Sequence, residues 1–554
     1  MTVGLDLLQT ATQGEVNAHL APEKVLGRVK SVSGAGATIA LEPLIFSQSL
    51  TGVDAPEKRI GQIGTIVRIH VDCGYIYATI SKVAGSVSGE RRSFDAQVDF
   101  FGQGTFVNGD PGRINFGRGV YSFPMPGQAV SLAGDADLYA IFSPRERPHI
   151  TVGAVYPDAV TPATVLIDGL LSKHFAVMGS TGTGKSSTLS LLLHRIVEKL
   201  PNAHVLVLDP HNEYGKAFDN RAVQFDTSNL KLPYWLMNLE EHVELFIGLR
   251  DAEREVEVDI LKRCLIAARK EGASQSRYER ITVDTPVPYR ISDLLAHIEA
   301  DMGRLDKPEK LLPFLRLKTK IEELKNDPRY GFMFSGLMVN DTLEDIISRL
   351  LRFPVDGKPI STIDLSGVPS DITDVVVSVL SRIVFDFAVW SRRETSRPLL
   401  LICEEAHRYI PEARRPGHDA ARKSLERIAK EGRKYGVSLG IVSQRPSDMA
   451  QSVLSQCGTV FAMRMNNDRD QAFVANVMPE GSGGFLAALP SLQNRECIAV
   501  GEGVAAPLRI LLDELQAHEL PTSDDPNFSS AWQDDITNKE FVGRVIDRWR
   551  HDMR

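Results

Sequence analysis

The residues that most clearly indicate a chemical function form one short run, Gly179-Ser180-Thr181-Gly182-Thr183-Gly184-Lys185-Ser186. Ser187 follows this run and is included in the predicted nucleotide site. Glycines at this spacing let the backbone wrap around a phosphate, while N–H groups and a following helix start supply partial positive charge. Lys185 is expected to reach the β- and γ-phosphates, and the Ser186 hydroxyl to ligate Mg²⁺. An apolar strand pattern precedes the loop and a helical pattern follows it, as this motif requires. The run therefore predicts a site for ATP and Mg²⁺.

Two consecutive carboxylates, Glu404 and Glu405, follow a second apolar run, Leu399–Cys403. Four aliphatic residues in a row are typical of a strand that is covered on both faces. Carboxylates at the exit of such a strand can hold hydrated Mg²⁺ and polarise the attacking water. We assign Glu404 to the metal and Glu405 to the activation of water. Asp is the usual residue at the first position, so Glu404 adds one methylene group.

Two further polar residues stand at predicted strand ends. Asp209 ends the strand that follows the phosphate-loop helix, at the sheet edge where ligands bind in open α/β folds. We expect Asp209 to support Mg²⁺ or the attacking water indirectly, without binding the metal itself. The alternative is that Asp209 is a helix cap or a turn residue. Gln444 follows the strand Val437–Ser443 and is expected to sense the γ-phosphate and position water. The alternative is a buried amide that satisfies backbone groups.

A group of cations lies before Gly436. Four of them are spaced four, three and four residues apart and share one helical face: Lys423, Arg427, Lys430 and Lys434. The opposite face of the predicted helix is apolar. We therefore expect the apolar face to pack against the protein and the basic face to be exposed. Three interpretations are open, namely a solvated face, contact with DNA phosphates, and contact with a neighbouring subunit's nucleotide. Arg433 lies off this stripe and is the best candidate for a finger inserted in trans.

The elements that position these residues divide the chain into five parts. Period-2 alternation and Gly-, Pro- and Asp-rich turns predict a small antiparallel barrel first, with Leu138–Phe142 as one of its strands. Apolar strands that alternate with helices then predict a parallel α/β sheet, closed by Pro507–Leu512. Charged amphipathic segments, the first being Glu240–Lys270, interrupt it as a helical insertion. The expected parts are a barrel with linker at 1–160, an ATPase core at 161–239 and 356–513, helices at 240–355, and a C-terminal extension with an amphipathic helix at 514–554.

Bulk properties narrow the function classes. The 554 residues carry a net charge of −8, which argues against a surface coated with basic residues for nucleic acid, so any DNA-binding charge must be local. The five cysteines include no Cys-x-x-Cys pair, which disfavours a disulfide framework or zinc site and suits a reducing cytoplasm. Neither a secretory signal nor an apolar run long enough to span a bilayer is apparent. We therefore expect a cytoplasmic protein without membrane segments.

With these residues in place, the chain resembles the HerA family of hexameric DNA-translocating ATPases, kin to the FtsK motors. The motifs that carry the resemblance span the core and are more specific than the phosphate loop alone: Lys173–Gly179, Asp209–Tyr214, Glu404–His407, Glu431–Gly436 and Ser443–Pro446. The resemblance implies an α/β RecA-like P-loop core with an N-terminal β-barrel and an inserted α-helical bundle. It also implies a ring of six with ATP between subunits, and an Arg finger that matches Arg433. Lys173 stands where the family often has Arg, and Lys lacks the bidentate fork of a finger.

The resemblance further implies a partner on the N-terminal barrel, either a nuclease, as in archaeal repair, or a nuclease or sirtuin-type NADase, as in antiphage operons. The leading hypothesis is therefore an ATP-driven motor on double-stranded DNA that acts with such an effector. One alternative is an ATP-gated scaffold that organises the partner without translocation. A secretion or conjugation ATPase is another, although that class usually carries a membrane anchor. No nuclease constellation is found in the sequence, so cutting is expected to come from the partner.

Overall fold

The computed structural model describes residues 25–42, 63–88, 91–144, 146–156, 160–248, 254–273, 280–304, 310–335, 340–394, 396–413, 419–477, 486–522, 528–533 and 539–551. The chain divides into two compact units, Met1–Ala140 and Ile141–Arg554. Each unit has its own hydrophobic core.

The first unit is a closed antiparallel barrel, as predicted. Its strands are β1 (Val25–Val32), β2 (Gly36–Leu41), β3 (Ile66–Val71), β4 (Gly74–Ser88), β5 (Arg91–Val107), β6 (Asp110–Arg118) and β7 (Ala129–Leu132). Pairing runs β2-β1-β7-β3-β4-β5, and β5 pairs back onto β2, so six strands close the ring while β6 extends β5. Alternate residues such as Ile39, Val67 and Ile69 point inward and are fully buried.

The prediction of a strand at Leu138–Phe142 is wrong, because these residues belong to helix α1 (Asp135–Phe142). The Asp137 carboxylate accepts a hydrogen bond from the Gly134 N–H at 2.8 Å and so caps the first turn. The same carboxylate pairs with Arg68 at 2.9 Å and accepts from the Tyr77 hydroxyl at 2.6 Å. These barrel contacts stabilise the helical form of a short apolar run whose pattern fits either structure.

The second unit is built on one sheet of eleven strands, ordered β12-β13-β11-β14-β15-β10-β16-β17-β18-β8-β9 within the described residues. In this spatial order, each neighbouring pair from β12 through β10 to β16 is parallel. Each neighbouring pair from β16 through β17, β18 and β8 to β9 is antiparallel. Their bounds are β8 (His149–Val155), β9 (Pro162–Leu166), β10 (Phe175–Met178), β11 (Val205–Asp209), β12 (Ala222–Phe225), β13 (Ile360–Asp364), β14 (Leu399–Cys403), β15 (Val437–Ser443), β16 (Thr459–Ala462), β17 (Glu496–Gly501) and β18 (Leu508–Leu512).

Two details of the predicted organisation need correction. β8 lies before residue 160 but pairs with β18, so the second unit begins earlier than the expected boundary. β18 does not close the sheet either, because β8 and β9 continue it to the edge. Sequence alternation did identify this region as β-structure, but alternation does not reveal which sheet a strand joins.

Several helices pack on the sheet or lie between β12 and β13, and two more follow near the C-terminus. They are α2 (Ile167–Leu171), α3 (Lys185–Lys199), α4 (Leu239–Phe246), α5 (Glu255–Gly272), α6 (Ile291–Met302), α7 (Leu312–Asn326), α8 (Gly331–Phe334), α9 (Leu343–Leu351), α10 (Thr373–Ser391), α11 (Ala420–Tyr435), α12 (Gln451–Leu454), α13 (Asp468–Val477), α14 (Phe528–Ala531) and α15 (Lys539–His551). The predicted helical segment Glu240–Lys270 contains two helices, α4 and α5, and α4 ends before Gly248, which has a φ of +76°. In the described part of the chain, no helix is both long and apolar enough to cross a membrane.

Candidate nucleotide site

The phosphate loop joins β10 to α3 at the carboxyl edge of the sheet. Gly182 and Gly184 have φ values of +75° and +96°, a region that residues with a Cβ rarely adopt. A Cβ at Gly179 would lie 2.8 Å from the Cβ of Met463 and 2.8 Å from Thr183 Oγ1, so only glycine fits there. These glycines permit the concave backbone that the sequence motif predicts, and α3 begins directly behind it at Lys185.

Lys185 is buried at the base of the loop. Its ammonium donates to the Ser180 carbonyl at 3.1 Å, and the Thr183 hydroxyl donates to the same carbonyl at 2.8 Å. Burial lowers the pKa of Lys185, while the nearby carboxylates of Glu405, Glu404 and Glu213 act in the opposite direction. A cation held between a loop of N–H groups and several carboxylates can bind an anionic phosphate and connect it to the acidic side of the site.

Glu404 directly follows the fully buried strand β14, which lies between β11 and β15. Its side chain accepts a hydrogen bond from the Tyr214 hydroxyl at 3.1 Å. Burial raises the pKa of Glu404 well above its usual value, and the charges of Glu213 and Glu405 act in the same direction. A buried carboxyl beside other carboxylates is an environment that a divalent cation would stabilise.

The residues fit Mg²⁺ that arrives with a nucleotide. Within the described residues there is no group of three or more His, Cys, Asp or Glu side chains that could hold a metal alone. Mg²⁺ commonly uses one or two protein oxygens together with substrate phosphates. Ser186 and Glu404 are donors of this kind, and both contact the Tyr214 side chain, which joins the loop to the acid pair.

Glu405 differs from Glu404 in conformation and in charge. Its φ of +48° lies in the left-handed region, which costs a non-glycine residue about 1–3 kcal/mol and is typical of functional sites. Its Oε2 lies 3.2 Å from His407 Nδ1. Burial raises the pKa of Glu405, but His407 and Lys185 outweigh that effect, so the pKa is lowered. Glu405 is therefore ionised at neutral pH and suited to accept a proton from water.

Gln444 directly follows β15, whose last residue Ser443 is paired with Met178 of β10. Its side-chain carbonyl accepts a hydrogen bond from the Thr181 hydroxyl at the tip of the phosphate loop. The amide therefore contacts the loop itself. This position agrees with the predicted role of Gln444 toward the γ-phosphate, which stays a prediction.

Asp209 is engaged in a turn. Its two carboxylate oxygens accept the N–H groups of His211 at 3.3 Å and Tyr214 at 2.9 Å. Burial raises its pKa, and these backbone hydrogen bonds oppose that rise. The structure thus favours the turn role that was the alternative for Asp209, since the turn places Tyr214 beside Glu404.

Sequence reasoning gave no role to Tyr214, Glu213 or His407, although all three lie in the motifs that carry the family resemblance. Tyr214 hydrogen-bonds to Glu404, Glu213 adds charge beside Lys185, and His407 lies against Glu405. His407 Nδ1 also lies 3.3 Å from the Ser443 hydroxyl, which links the acid pair to β15, the strand that precedes Gln444. The sequence signal for these residues was their membership of those motifs, close to strand ends.

A small cavity of about 210 Å³ lies beside the loop and is lined in part by residues of α3. Its apolar lining comes from Leu191, Leu512, Leu515 and Leu520, beside the loop residues Gly182–Gly184. An apolar cleft next to a phosphate cradle is a suitable place for a nucleotide base.

The predicted basic stripe lies on the exposed face of α11, and the opposite face is buried, as expected. Three of the four cations have acidic neighbours in the chain: Lys423 with Glu240 at 3.3 Å, Arg427 with Asp386 at 3.9 Å, and Lys430 with Glu426 at 3.4 Å. Lys434 and Arg433 are exposed and have no ion-pair partner among the described residues. Contact of the stripe with DNA stays a prediction, and these acids reduce its net charge.

Lys173 begins the stretch that leads into the phosphate loop, and its ammonium pairs with Glu502. It therefore has a partner within its own chain, which agrees with the weaker case for Lys173 as a finger.

The family described as "Helicase HerA, central domain" matches residues 150–384. The "DNA double-strand break repair helicase HerA" of Sulfolobus acidocaldarius is 26% identical over 434 residues, or 77% of this chain and 80% of that protein. The protein of the same name from Pyrococcus furiosus is 26% identical over 474 residues, or 76% and 78%. Among solved structures, VirB4 of Thermoanaerobacter pseudethanolicus aligns with a TM-score of 0.49 and 18% identity over 67% of this chain and 98% of that chain.

Proposed function

We infer that this chain, which belongs to the HerA helicase family, is an ATP hydrolase that uses its phosphate-loop site to drive movement along double-stranded DNA. The observation that carries ATP hydrolysis is the meeting of three groups at one sheet edge, and movement along DNA is proposed from the similarity to HerA helicases. Lys185 lies in the phosphate cradle, ionised Glu405 lies beside it, and Gln444 contacts the tip of the loop.

Each group has a defined task in the proposed reaction. The loop N–H groups and Lys185 hold the phosphates, and the apolar cavity against α3 receives the base. Ser186 and Glu404 would hold Mg²⁺, which neutralises phosphate charge when it is bound. Glu405 orients the attacking water and accepts its proton, while Gln444 positions that water against the γ-phosphate. His407 and Tyr214 keep the two carboxylates in place.

The proposal includes an assembly of copies. Arg433 is exposed at the end of α11 and is available to reach a nucleotide bound by a neighbouring copy. An arginine inserted in trans accelerates phosphoryl transfer by about 10³–10⁵-fold. We propose a hexameric ring in which each site is completed in this way. The N-terminal barrel is proposed to carry a nuclease or sirtuin-type NADase partner, for DNA repair or antiphage defence.

A second candidate function is an ATP-gated scaffold that assembles the partner without translocation. The ion pairs of Lys423, Arg427 and Lys430 favour it, because they reduce the charge that α11 offers to DNA. Exposed pairs of this kind are weak, at about 0–1 kcal/mol each, so phosphate groups can compete for the same cations.

ATP turnover with and without duplex DNA at low salt separates the two candidates, since phosphate contacts weaken steeply with ionic strength. For the motor, DNA stimulates turnover, and Lys423→Ala combined with Lys430→Ala removes the stimulation while basal turnover persists. Glu240→Ala is the matched control, since it frees Lys423 from its acid and should leave stimulation intact. Turnover that is unaffected by DNA at low salt would reject the motor and retain the scaffold.

A further inference from the structure

Helix α4 contacts two groups of elements. The first is α5 and the segment before α6, and the second is α10 and α11. Helix α4 begins with a reciprocal cap, in which the Asn238 side chain accepts the Glu241 N–H and the Glu241 carboxylate accepts the Asn238 N–H. This arrangement fixes the start of the helix with two hydrogen bonds. A short helix fixed in this way is a defined element between two groups of helices.

On one side, α4 is bonded to α5 and to the segment before α6. His242 of α4 is fully buried, and its Nε2 lies 2.8 Å from the Tyr289 hydroxyl. Arg269 of α5 is also fully buried and donates to the Met237 carbonyl, just before α4, at 2.6 Å. Both contacts are buried polar contacts, which are costly to break.

On the other side, α4 is bonded to α10. The Glu241 carboxylate accepts from Arg382 at 2.8 Å and from the Ser378 hydroxyl at 2.8 Å. Arg382 also donates to the Leu236 carbonyl at 2.6 Å. Ser378 in turn lies 3.0 Å from the Ser424 hydroxyl of α11, so the network continues into that helix.

Glu244 makes the direct connection from α4 to α11. Its Oε2 accepts the backbone N–H groups of Asp419, the N-cap residue of α11, at 3.0 Å and of Ala420, its first residue, at 2.9 Å. The Asp419 side chain makes no capping hydrogen bond of its own. The N-terminus of α11 is therefore capped by a carboxylate from α4, which also matches the positive end of the helix dipole.

The other end of α11 carries Arg433. The helix has 16 residues, so its two ends are about 24 Å apart at about 1.5 Å per residue. Its buried face packs as one surface through Ala421, Leu425 and Ile428. A helix of this kind moves as a rigid rod, so a shift at its capped end changes the position of Arg433.

We propose that α4 couples helices α5 and α6 to the Arg433 end of α11, and that Glu244 is the positioning residue that holds this coupling. The proposal rests on the proposed function, in which Arg433 acts on the nucleotide of a neighbouring copy. A displacement of about 1 Å is enough to reduce a reaction about 100-fold. Glu244 thus governs turnover without touching the nucleotide.

The test compares kcat and KM for ATP in the full chain carrying Glu244→Ala, Glu244→Gln or Arg433→Ala. We expect Glu244→Ala to lower kcat by about 10–100-fold with KM nearly unchanged, because the displaced group acts on the reaction and not on binding. Glu244→Gln should restore most of the turnover, since its amide oxygen can accept the same two N–H groups. Glu240→Ala on the same helix removes only an exposed ion pair and should stay within about twofold of wild type.

The outcomes separate the coupling role of Glu244 from the proposed role of Arg433 as a finger. If Glu244→Ala keeps wild-type kcat while Arg433→Ala is inactive, the coupling role is rejected and the proposed finger stands. If Arg433→Ala keeps wild-type kcat, the finger and the coupling role fall together. Should Glu244→Ala not fold, Glu244→Asp replaces it, because the shorter carboxylate keeps its charge but cannot reach both N–H groups. For Glu244→Asp, a lowered kcat supports the coupling role and an unchanged kcat rejects it.

Discussion

Replacement of Glu405 by Gln separates nucleotide binding from hydrolysis. The side chain keeps its length and loses the charge that His407 and Lys185 stabilise, so the group that accepts the proton is removed. General-base catalysis contributes about 10²–10⁴-fold, which corresponds to about 3–5 kcal/mol of barrier. We therefore expect kcat to fall by about 10²–10⁴-fold in Glu405→Gln. Glutamine adopts the same left-handed backbone no more easily than glutamate, so the strain at this position should not change.

The assay measures phosphate release at saturating ATP together with equilibrium binding of a fluorescent ATP analogue. Glu405→Gln should bind the analogue at least as tightly as wild type, because a negative charge near the phosphates is lost. Lys185→Ala is the comparison variant and should lose both binding and turnover. Turnover of Glu405→Gln above about half that of wild type would refute the assignment, since a base effect cannot be that small. The proton acceptor would then have to be another group.

Two further results are expected. Gln444→Ala removes the contact with Thr181 and should lower kcat by about tenfold or more with little change in binding, as measured in the same assay. Burial raises the pKa of the Glu244 carboxyl to about 7 from an ordinary value of 4.5. The folded chain thus retains a proton that the unfolded chain releases, and the stability from this group falls as pH rises from 4.5 to about 7 and is constant above. Urea unfolding at several pH values across this range measures the free energy of unfolding. That free energy should change less with pH in Glu244→Gln than in wild type.

The strands around the candidate nucleotide site were predictable because buried parallel strands have continuous apolar sequences. Leu399–Cys403 and Val437–Ser443 have the bounds that the sequence predicts. Leu138–Phe142 was mispredicted because a five-residue apolar run fits both periods, and the contacts of Asp137 decide the outcome. The membership of His149–Val155 in the second sheet depends on pairing with β18, far away in sequence.

In the site, too, features within one short motif were predictable and contacts between distant parts of the sequence were not. The phosphate loop and the acid pair were predictable because each is a contiguous motif with its chemistry in neighbouring residues. The bond from Tyr214 to Glu404 spans 190 positions, and the bond from Glu244 to Asp419 spans 175. No local pattern encodes such contacts. Glu240 and Asp386, which pair with cations of the α11 stripe, were missed for this reason, since they come from other helices.

The most direct test of the motor is ATP-driven movement along duplex DNA, measured as the displacement of a third strand bound to that duplex at low salt. The account predicts displacement that requires ATP and Mg²⁺ and that is lost in Lys185→Ala and Glu405→Gln. Both variants should retain their fold, which a melting curve checks. If wild type hydrolyses ATP and binds the duplex but never displaces the third strand, the central claim is contradicted and the ATP-gated scaffold takes its place.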